Sequence, residues 1–245
     1  MKNNIKRFWE IDFFRGFFII LMILFHILYD LNHFNILKIN FDSIFFQSYI
    51  YINATPFLLL VGISLTISYT RAKKTLVDKQ LFTKFLFRGL KIFCYGLIIT
   101  FITWLYLDEG FIIFGILHCI GLSIILAYPF LKIQKFIPLT GISLTAIGFI
   151  LKTMTFDFYW FLWLGFIPTT FFTVDYFPLL PWFGVVLIGI FIGNTFYKEN
   201  KRTFNLKDMS IFTPVKFICF IGRHSLVIYL IHQPIVIGLI HLIWL

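Results

Sequence analysis

The sequence is poor in charged residues and in cysteine, and each shortage excludes a class of protein. Only 13% of the 245 residues are charged, whereas 60% are hydrophobic and 21% are aromatic, which does not suit a soluble surface. The three cysteines lie in apolar runs without zinc-site spacing, and an odd count does not indicate a disulfide framework. The polar connections are too short for a soluble domain. We therefore expect one integral membrane domain over residues 1–245, without a metal.

The basic residues occur in short clusters between the apolar runs. The formal net charge is +10, but charges arranged in this way are typical of membrane orientation signals rather than of a nucleic-acid surface. The richest clusters are Arg71 to Lys91 and the stretch KENKRTFNLK from Lys198 to Lys207. The positive-inside rule predicts that both are cytoplasmic and that the N-terminus is cytoplasmic as well.

The apolar runs predict an all-α, polytopic transmembrane helical bundle of about seven to eight spans in the cell membrane. The stretch Asp157 to Pro181 has a short apolar run broken by Pro168, so we predict an interfacial or re-entrant segment on the outer side. An eighth span there is the alternative, and it would place the Lys198 to Lys207 loop outside. The seven predicted spans are Trp9–Phe34, Ser43–Tyr69, Phe93–Leu107, Phe111–Leu131, Phe136–Leu151, Trp182–Tyr197 and Arg223–Trp244.

The first span carries five ionisable residues on one face. At about 100° per residue, the stretch WEIDFFRGFFIILMILFHILYDLNHF places these residues within one narrow stripe. Ionisable groups inside a membrane are costly, and they indicate a functional site by default. The alternative is purely structural: Asp12 and Arg15 form an ion pair, and His26 is hydrogen-bonded to a neighbouring group. The residues of the stripe are Asp12, Arg15, His26, Asp30 and His33.

Three further motifs carry polar groups. FGILHCIG contains His118 in the fourth span, where a hydrogen-bonded core histidine is the alternative to a functional one. DYFPLLPWFG contains Asp175 in a proline-rich outer loop. GRHSLVIYLIHQP opens the last span, where Arg223 has the alternative role of an interfacial anchor and Pro234 is predicted to open the helix near His232.

These motifs, together with FLLLVGISL and RGLKIF, resemble the prokaryotic membrane proteins of the heparan-alpha-glucosaminide N-acetyltransferase catalytic-domain family over nearly the whole chain. The spacing of Arg15 and His26 is also similar to the first-helix signature of the acyltransferase-3 membrane acyltransferases. The resemblance implies an O- or N-acyltransferase that moves an acetyl or similar acyl group from cytosolic acyl-CoA to a glycan or other acceptor outside. The lysosomal enzyme similar to this family uses a histidine in the loop after this helix, so His33 competes with His26.

Acyl transfer from a thioester needs a base for the acceptor proton, and we expect His26 in that role with Asp30 as its orienting partner. Alternatively, His26 or His33 carries the acyl group covalently. His118 is a further candidate on the acceptor side. Four arginines are expected to bind the phosphates of acetyl-CoA, the co-substrate: Arg15, Arg71, Arg88 and Arg223. Supporting positions around the site are expected for Asp12, Asp175, His224 and His232.

Two other functions fit the same residues. A small-solute or lipid transporter or flippase would also place ionisable groups at membrane depth. A haem-binding electron carrier would use two axial histidines from the set His26, His118, His224 and His232. The expected partners of the acyltransferase are acyl-CoA, an extracytoplasmic acceptor and membrane lipids.

Overall fold

A computed structural model describes residues 7–134 and 136–244. Residues 1–6, where the predicted cytoplasmic N-terminus begins, lie outside the described residues. The described helices are α1 (Trp9–His33), α2 (Ile44–Ala72), α3 (Asp78–Tyr106), α4 (Ile116–Lys132), α5 (Ile137–Leu151), α6 (Leu179–Phe196), α7 (Thr213–Arg223) and α8 (Ser225–Trp244), with a 3₁₀ turn at Leu162–Leu164. Strands β1 (Tyr197–Lys198) and β2 (Lys201–Arg202) form an antiparallel hairpin in which Tyr197 pairs with Arg202.

The predicted all-α, polytopic helical fold is confirmed. Helices α1, α2, α3, α6 and α8 are long and apolar enough to cross a membrane, and α4 and α5 are shorter apolar helices of 17 and 15 residues. These seven helices correspond to the seven predicted spans. Helix α8 continues through Pro234 without interruption, so the predicted opening of this helix near His232 is wrong.

Two helix boundaries differ from the prediction. Helix α3 begins at Asp78 rather than at Phe93, so the basic residues Lys84 and Arg88 lie on its first turns. Their long side chains can reach polar surroundings from the end of a helix. A prediction based on apolar runs therefore places the start of such a helix too late. Residues 213–222, in the predicted connection before the last span, and Arg223 form α7. Pro214 lies in its first turn, where a backbone N–H would have no helical partner, so proline costs no hydrogen bond there.

The chain forms two compact units. The first comprises the described parts of Met1–Leu60 and Asn205–Leu245, and therefore contains α1, the first part of α2, α7 and α8. The second, Val61–Phe204, contains the rest of α2, helices α3 to α6 and the hairpin.

In the first unit, α1 lies against α7 and α8. Gly222 faces the backbone carbonyl of Asp12, and Gly16 faces Ile218 and Gly222, so a Cβ atom at either glycine would collide with backbone. This close approach brings the end of α7 to the Arg15 turn of α1. Further along, His26 lies beside His232 and the ring of Phe34 contacts that of His241.

In the second unit, the two basic segments meet at one end. The Nε–H of Arg71, at the end of α2, donates to Oδ1 of Asn200 in the hairpin turn at 3.2 Å. Lys132, at the end of α4, pairs with Asp78 at the start of α3 at 2.8 Å. This common end contradicts the eight-span alternative, which puts the two basic segments on opposite sides.

The stretch between α5 and α6 lies at the other end of the second unit. Among the described residues 152–178 the only helical segment is the 3₁₀ turn, which is too short to cross a bilayer. The stretch bonds to the α3–α4 connection instead, since the N–H of Val174 donates to the carbonyl of Gly110 at 2.9 Å and Thr173 donates to that of Phe111 at 2.7 Å. The position agrees with an interfacial segment opposite the basic end.

This arrangement yields a labelling prediction. In a Cys94→Ala background, which removes the exposed native cysteine, a cysteine at Asn205 should resist an impermeant thiol reagent added outside intact cells, because the positive-inside rule places its basic segment in the cytoplasm. A cysteine at Glu109, in the α3–α4 connection, should label. The measurement is the labelled fraction before and after cell lysis. Ready labelling of Asn205→Cys before lysis would reverse the predicted orientation.

Candidate active site

The N-terminal end of the predicted stripe contains an ion pair. Nη1 of Arg15 donates to Oδ1 of Asp12 at 3.1 Å, and the Arg15 side chain is 23% exposed. Gly222 packs against this turn, so the next residue, the exposed Arg223, lies at the same level of the first unit. The structural ion pair considered from the sequence is thus formed. Arg15 and Arg223 lie at a similar position along the axis of α1.

The middle of the stripe contains two histidines that belong to different helices. The rings of His26 on α1 and His232 on α8 are edge to face, with centroids 4.9 Å apart and planes at 83°. His26 Nδ1 lies 2.8 Å from the carbonyl oxygen of Met22, and His232 Nδ1 lies 2.6 Å from that of Tyr229. This pairing joins a residue predicted as the base to one predicted as a supporting residue.

The carbonyl contacts assign the tautomer of both neutral rings. A carbonyl oxygen can only accept, so Nδ1 of His26 and Nδ1 of His232 each carry the hydrogen. The opposite nitrogen, Nε2, is then the unprotonated nitrogen with a free lone pair. Both imidazoles are therefore oriented as proton or hydrogen-bond acceptors through Nε2.

Asp30 does not orient the His26 ring as the sequence predicted. Its carboxylate accepts from Nε2 of Gln233, which lies 2.9 Å from both oxygens. Because His26 Nδ1 is engaged by the carbonyl of Met22 one turn earlier, that carbonyl takes the orienting role. Asp30, which is buried, instead fixes Gln233 on α8.

Helix α2 supports the turn of α1 that holds His26. The hydroxyl of Tyr49 donates to the carbonyl of Leu21 at 2.9 Å. With its amide oriented to satisfy both groups, Asn53 donates to the carbonyl of Phe18 at 3.1 Å and accepts from the N–H of Met22 at 3.2 Å. In the sequence, only the position of Asn53 within an apolar helix indicates such a contact. The backbone groups of α1 that it bonds cannot be recognised from the sequence.

The remaining two histidines of the first unit that the sequence singled out are exposed. His33 is the last residue of α1, about two turns beyond His26. His224 follows α7, where its Nδ1 contacts the carbonyl of Phe220 at 2.9 Å. Neither residue joins the His26–His232 pair.

The second unit contains the other candidates, His118 and Asp175, which meet at the start of α4. Nδ1 of His118 accepts from the N–H of Gly115 at 3.2 Å, and its Nε2 lies 3.4 Å from the hydroxyl of Thr100. Oδ2 of Asp175 accepts from the N–H of Ile116 at 3.2 Å. First-turn N–H groups have no helical partner, so these two side chains cap α4. The arrangement matches the hydrogen-bonded histidine that the sequence left open.

The Asp175 cap predicts a pH-dependent stability. Burial raises the pKa of this carboxyl from 3.8 to about 6, although the N–H of Ile116 opposes the shift. A folded-state pKa above the unfolded value means that stability is lost as pH rises from about 4 to about 6. Asp175→Asn keeps an oxygen for Ile116 without a buried charge, so it should raise the unfolding temperature at pH 8 relative to wild type more than at pH 4.

The control for this measurement is Asp108→Asn, which changes an exposed carboxyl in the α3–α4 connection. Thermal unfolding of the purified chain in detergent at both pH values gives the comparison. An effect of Asp175→Asn that is the same at pH 4 and pH 8 would contradict the raised pKa.

Two of the four predicted donor-binding arginines lie in the second unit. Arg71 is half-buried and bonded to Asn200, and Arg88 is exposed on α3, almost three turns from its start. Within the described part of the chain, no group of three or more His, Cys, Asp and Glu side chains is arranged to hold a metal ion.

Comparison with known proteins identifies the family. The family model of "heparan-alpha-glucosaminide N-acetyltransferase, catalytic" matches residues 7–234, which include α1 to α7, the His26–His232 pair and Gln233. A search of curated proteins and a search of solved structures found no match. The match extends over most of the sequence and agrees with a chain built from apolar helices. The chain therefore belongs to the family of the heparan-alpha-glucosaminide N-acetyltransferase catalytic domain, a family of membrane acetyltransferases.

Proposed function

We propose that this chain transfers an acetyl or similar acyl group from cytosolic acyl-CoA to a hydroxyl or amine on a glycan or other acceptor outside the cell membrane. The observation that carries the proposal is the His26 ring, which presents Nε2 as a base while the Met22 carbonyl holds Nδ1. The family adds acetyl transfer as the chemistry. A neutral imidazole is suited to take a proton near neutral pH.

In the proposed reaction, the acceptor's oxygen or nitrogen attacks the thioester carbonyl while His26 Nε2 takes its proton. The new bond from the acyl carbon to the acceptor forms, the carbon–sulfur bond breaks, and the CoA thiolate leaves. The imidazolium then returns the proton to the thiolate. The Met22 carbonyl stabilises the imidazolium because it keeps its hydrogen bond to Nδ1–H.

The donor is proposed to enter at the Arg15 end of α1. Arg15 and Arg223 supply guanidinium groups, which bind phosphate oxygens in bidentate fashion. The eleven-residue rise from Arg15 to His26 in the continuous helix α1 is about 16 Å, on the order of the reach of a pantetheine arm. Phosphates at the cytoplasmic end and the thioester near His26 are thus compatible with one bound acyl-CoA. Arg71 and Arg88 remain proposed contacts of the donor in the second unit.

The proposal is tested with the purified chain reconstituted in vesicles with labelled acetyl-CoA at the predicted cytoplasmic face. Acceptors supplied at the other face are a glucosaminide with a free amine, the matching glucoside with hydroxyls only, and lipid-linked sugars. We expect label in one of the acceptors together with an equal amount of free CoA thiol. Flux of an acceptor across the membrane without release of CoA would favour a transporter and overturn the proposal.

A further inference from the structure

Two buried polar atoms of helix α8, in the first unit, have no hydrogen-bond partner among the described residues. They are Nε2 of His232 and Oε1 of Gln233, on adjacent residues of α8. His232 is only 8% exposed, so this nitrogen is enclosed rather than hydrated at a surface. Buried polar atoms are paired in most native structures, and each exception requires an explanation.

Both atoms are hydrogen-bond acceptors. His232 donates through Nδ1 to the Tyr229 carbonyl, which leaves Nε2 as the acceptor of the neutral ring. Gln233 directs its amide N–H groups at the Asp30 carboxylate, which leaves Oε1 as the acceptor. His26 Nε2, in the ring beside His232, is an acceptor for the same reason as His232 Nε2. The cluster therefore presents hydrogen-bond acceptors, and a ligand that binds it has to supply hydrogen-bond donors.

This polarity differs from that of the other end of α1. Arg15 is a donor group suited to anions, whereas the His26–His232–Gln233 cluster would repel a phosphate or carboxylate. A neutral or cationic group with several N–H or O–H bonds fits the cluster. The two ends of the α1 stripe are thus complementary to different substrates.

We propose that His232 is a positioning residue for the acyl acceptor. Its Nε2 accepts a hydrogen bond from the nucleophilic amine or hydroxyl, or from a hydroxyl next to it, while His26 Nε2 takes the proton that is lost on acylation. The acceptor therefore carries at least two donors at the reacting end, as a primary amine or a vicinal diol does. Gln233 Oε1, held by Asp30, offers the next acceptor atom. This inference rests on the proposed acyl transfer.

The experiment measures steady-state acetyl transfer by the full chain in vesicles, with the panel acceptor that wild type uses. His232→Gln places an amide oxygen near the position of Nε2, whereas His232→Asn keeps only the contact near Nδ1. The matched control is His241→Gln, because His241 on the same helix also contacts a carbonyl one turn back, that of Ile237 at 3.0 Å, but is exposed. Thermal unfolding confirms that each variant is folded.

We expect His232→Asn to raise the KM for the acceptor at least tenfold without changing the KM for acetyl-CoA. His232→Gln should restore most of the loss, and His241→Gln should behave as wild type. An unchanged acceptor KM in a folded His232→Asn chain, or an equal rise for acetyl-CoA, would overturn the role of His232 while the acyl transfer itself stands. Absence of transfer by wild type would overturn the proposed function, and this inference with it.

A second measurement tests the number of donors. The acceptor is compared with its analogue in which one donor at the reacting end is methylated, in wild type and in His232→Gln and His232→Asn. Methylation should cost wild type and His232→Gln more in kcat/KM than it costs His232→Asn, because the contact to be lost is already absent there. An equal penalty in all three chains would contradict a hydrogen bond from the acceptor to His232.

Discussion

Replacing His26 by alanine is expected to lower the rate of acyl transfer by about 10²- to 10⁴-fold, the usual contribution of a general base. The reason is local: His26 is the ring whose Nδ1–H is held by the carbonyl of Met22, so that Nε2 has the lone pair. Expression and acetyl-CoA binding should persist, since the end of α1 at which the donor phosphates are proposed to bind lies about three turns away. The measurement is single-turnover acyl transfer together with acetyl-CoA binding by calorimetry.

Two variants serve as references for this prediction. His241→Ala removes an exposed histidine of α8 and should leave the rate near wild type. Asp30→Asn should cost less than His26→Ala, because Asp30 bonds Gln233 and acts on the histidine pair indirectly. Near-normal turnover of His26→Ala combined with a large loss in His33→Ala would move the assignment to His33 at the end of α1.

The same set of chains addresses the covalent alternative. If a histidine carries the acyl group, wild type should retain label from acetyl-CoA when no acceptor is present, and His26→Ala should not. Direct transfer, as proposed, gives no labelled protein under these conditions.

The face of α1 was predictable, but its partners were not. A period of 3.6 residues fixes which residues of one helix share a side, so Arg15, His26 and Asp30 could be grouped from the sequence. The contact of Asp30 with Gln233 joins residues 203 positions apart, and nothing in a single sequence states which helices pack together. For this reason the sequence predicts His26, one turn away on the same helix, as the hydrogen-bond partner of Asp30.

At the start of α4, by contrast, part of the hydrogen-bonding arrangement is local and visible in the sequence. Gly115 before the helix and His118 three residues later form a helix-start pattern, in which a side chain returns to the backbone. The pattern is present in FGILHCIG, but a titratable histidine in an apolar run is equally typical of a functional site. The capping role of Asp175 needed the fold, since Asp175 lies 59 residues from Ile116 along the chain.

The boundaries of α3 and α7 were missed for a common reason. Hydropathy marks where a helix becomes apolar, not where it begins, so the basic first turns of α3 and the mixed surface of α7 were read as loops. The missed α7 matters for the proposed donor site, because Gly222 at the end of α7 brings Arg223 to the level of Arg15.

Replacing Arg15 by lysine is expected to weaken acetyl-CoA binding by about 10- to 100-fold, as the loss of a charged hydrogen bond does. Lysine retains the charge and can still pair with Asp12, but it lacks the planar fork that binds two phosphate oxygens. The measurements are calorimetric acetyl-CoA affinity and the KM values of both substrates. The KM for the acceptor should be unchanged, since the acceptor is proposed to bind at the His26 end.

Asp12→Asn separates donor binding from the ion pair. If Arg15 served only to hold Asp12, then Arg15→Lys and Asp12→Asn would change stability and leave acetyl-CoA affinity intact in both chains. If Arg15 binds the donor, Asp12→Asn removes the carboxylate charge that competes with the donor phosphates for this guanidinium at 3.1 Å, and acetyl-CoA affinity should be equal to or higher than in wild type. Unchanged affinity in a folded Arg15→Lys chain would remove Arg15 from the proposed donor site. Arg223 would then be the arginine to test, because it is exposed and directly follows Gly222, which packs against α1 near Arg15.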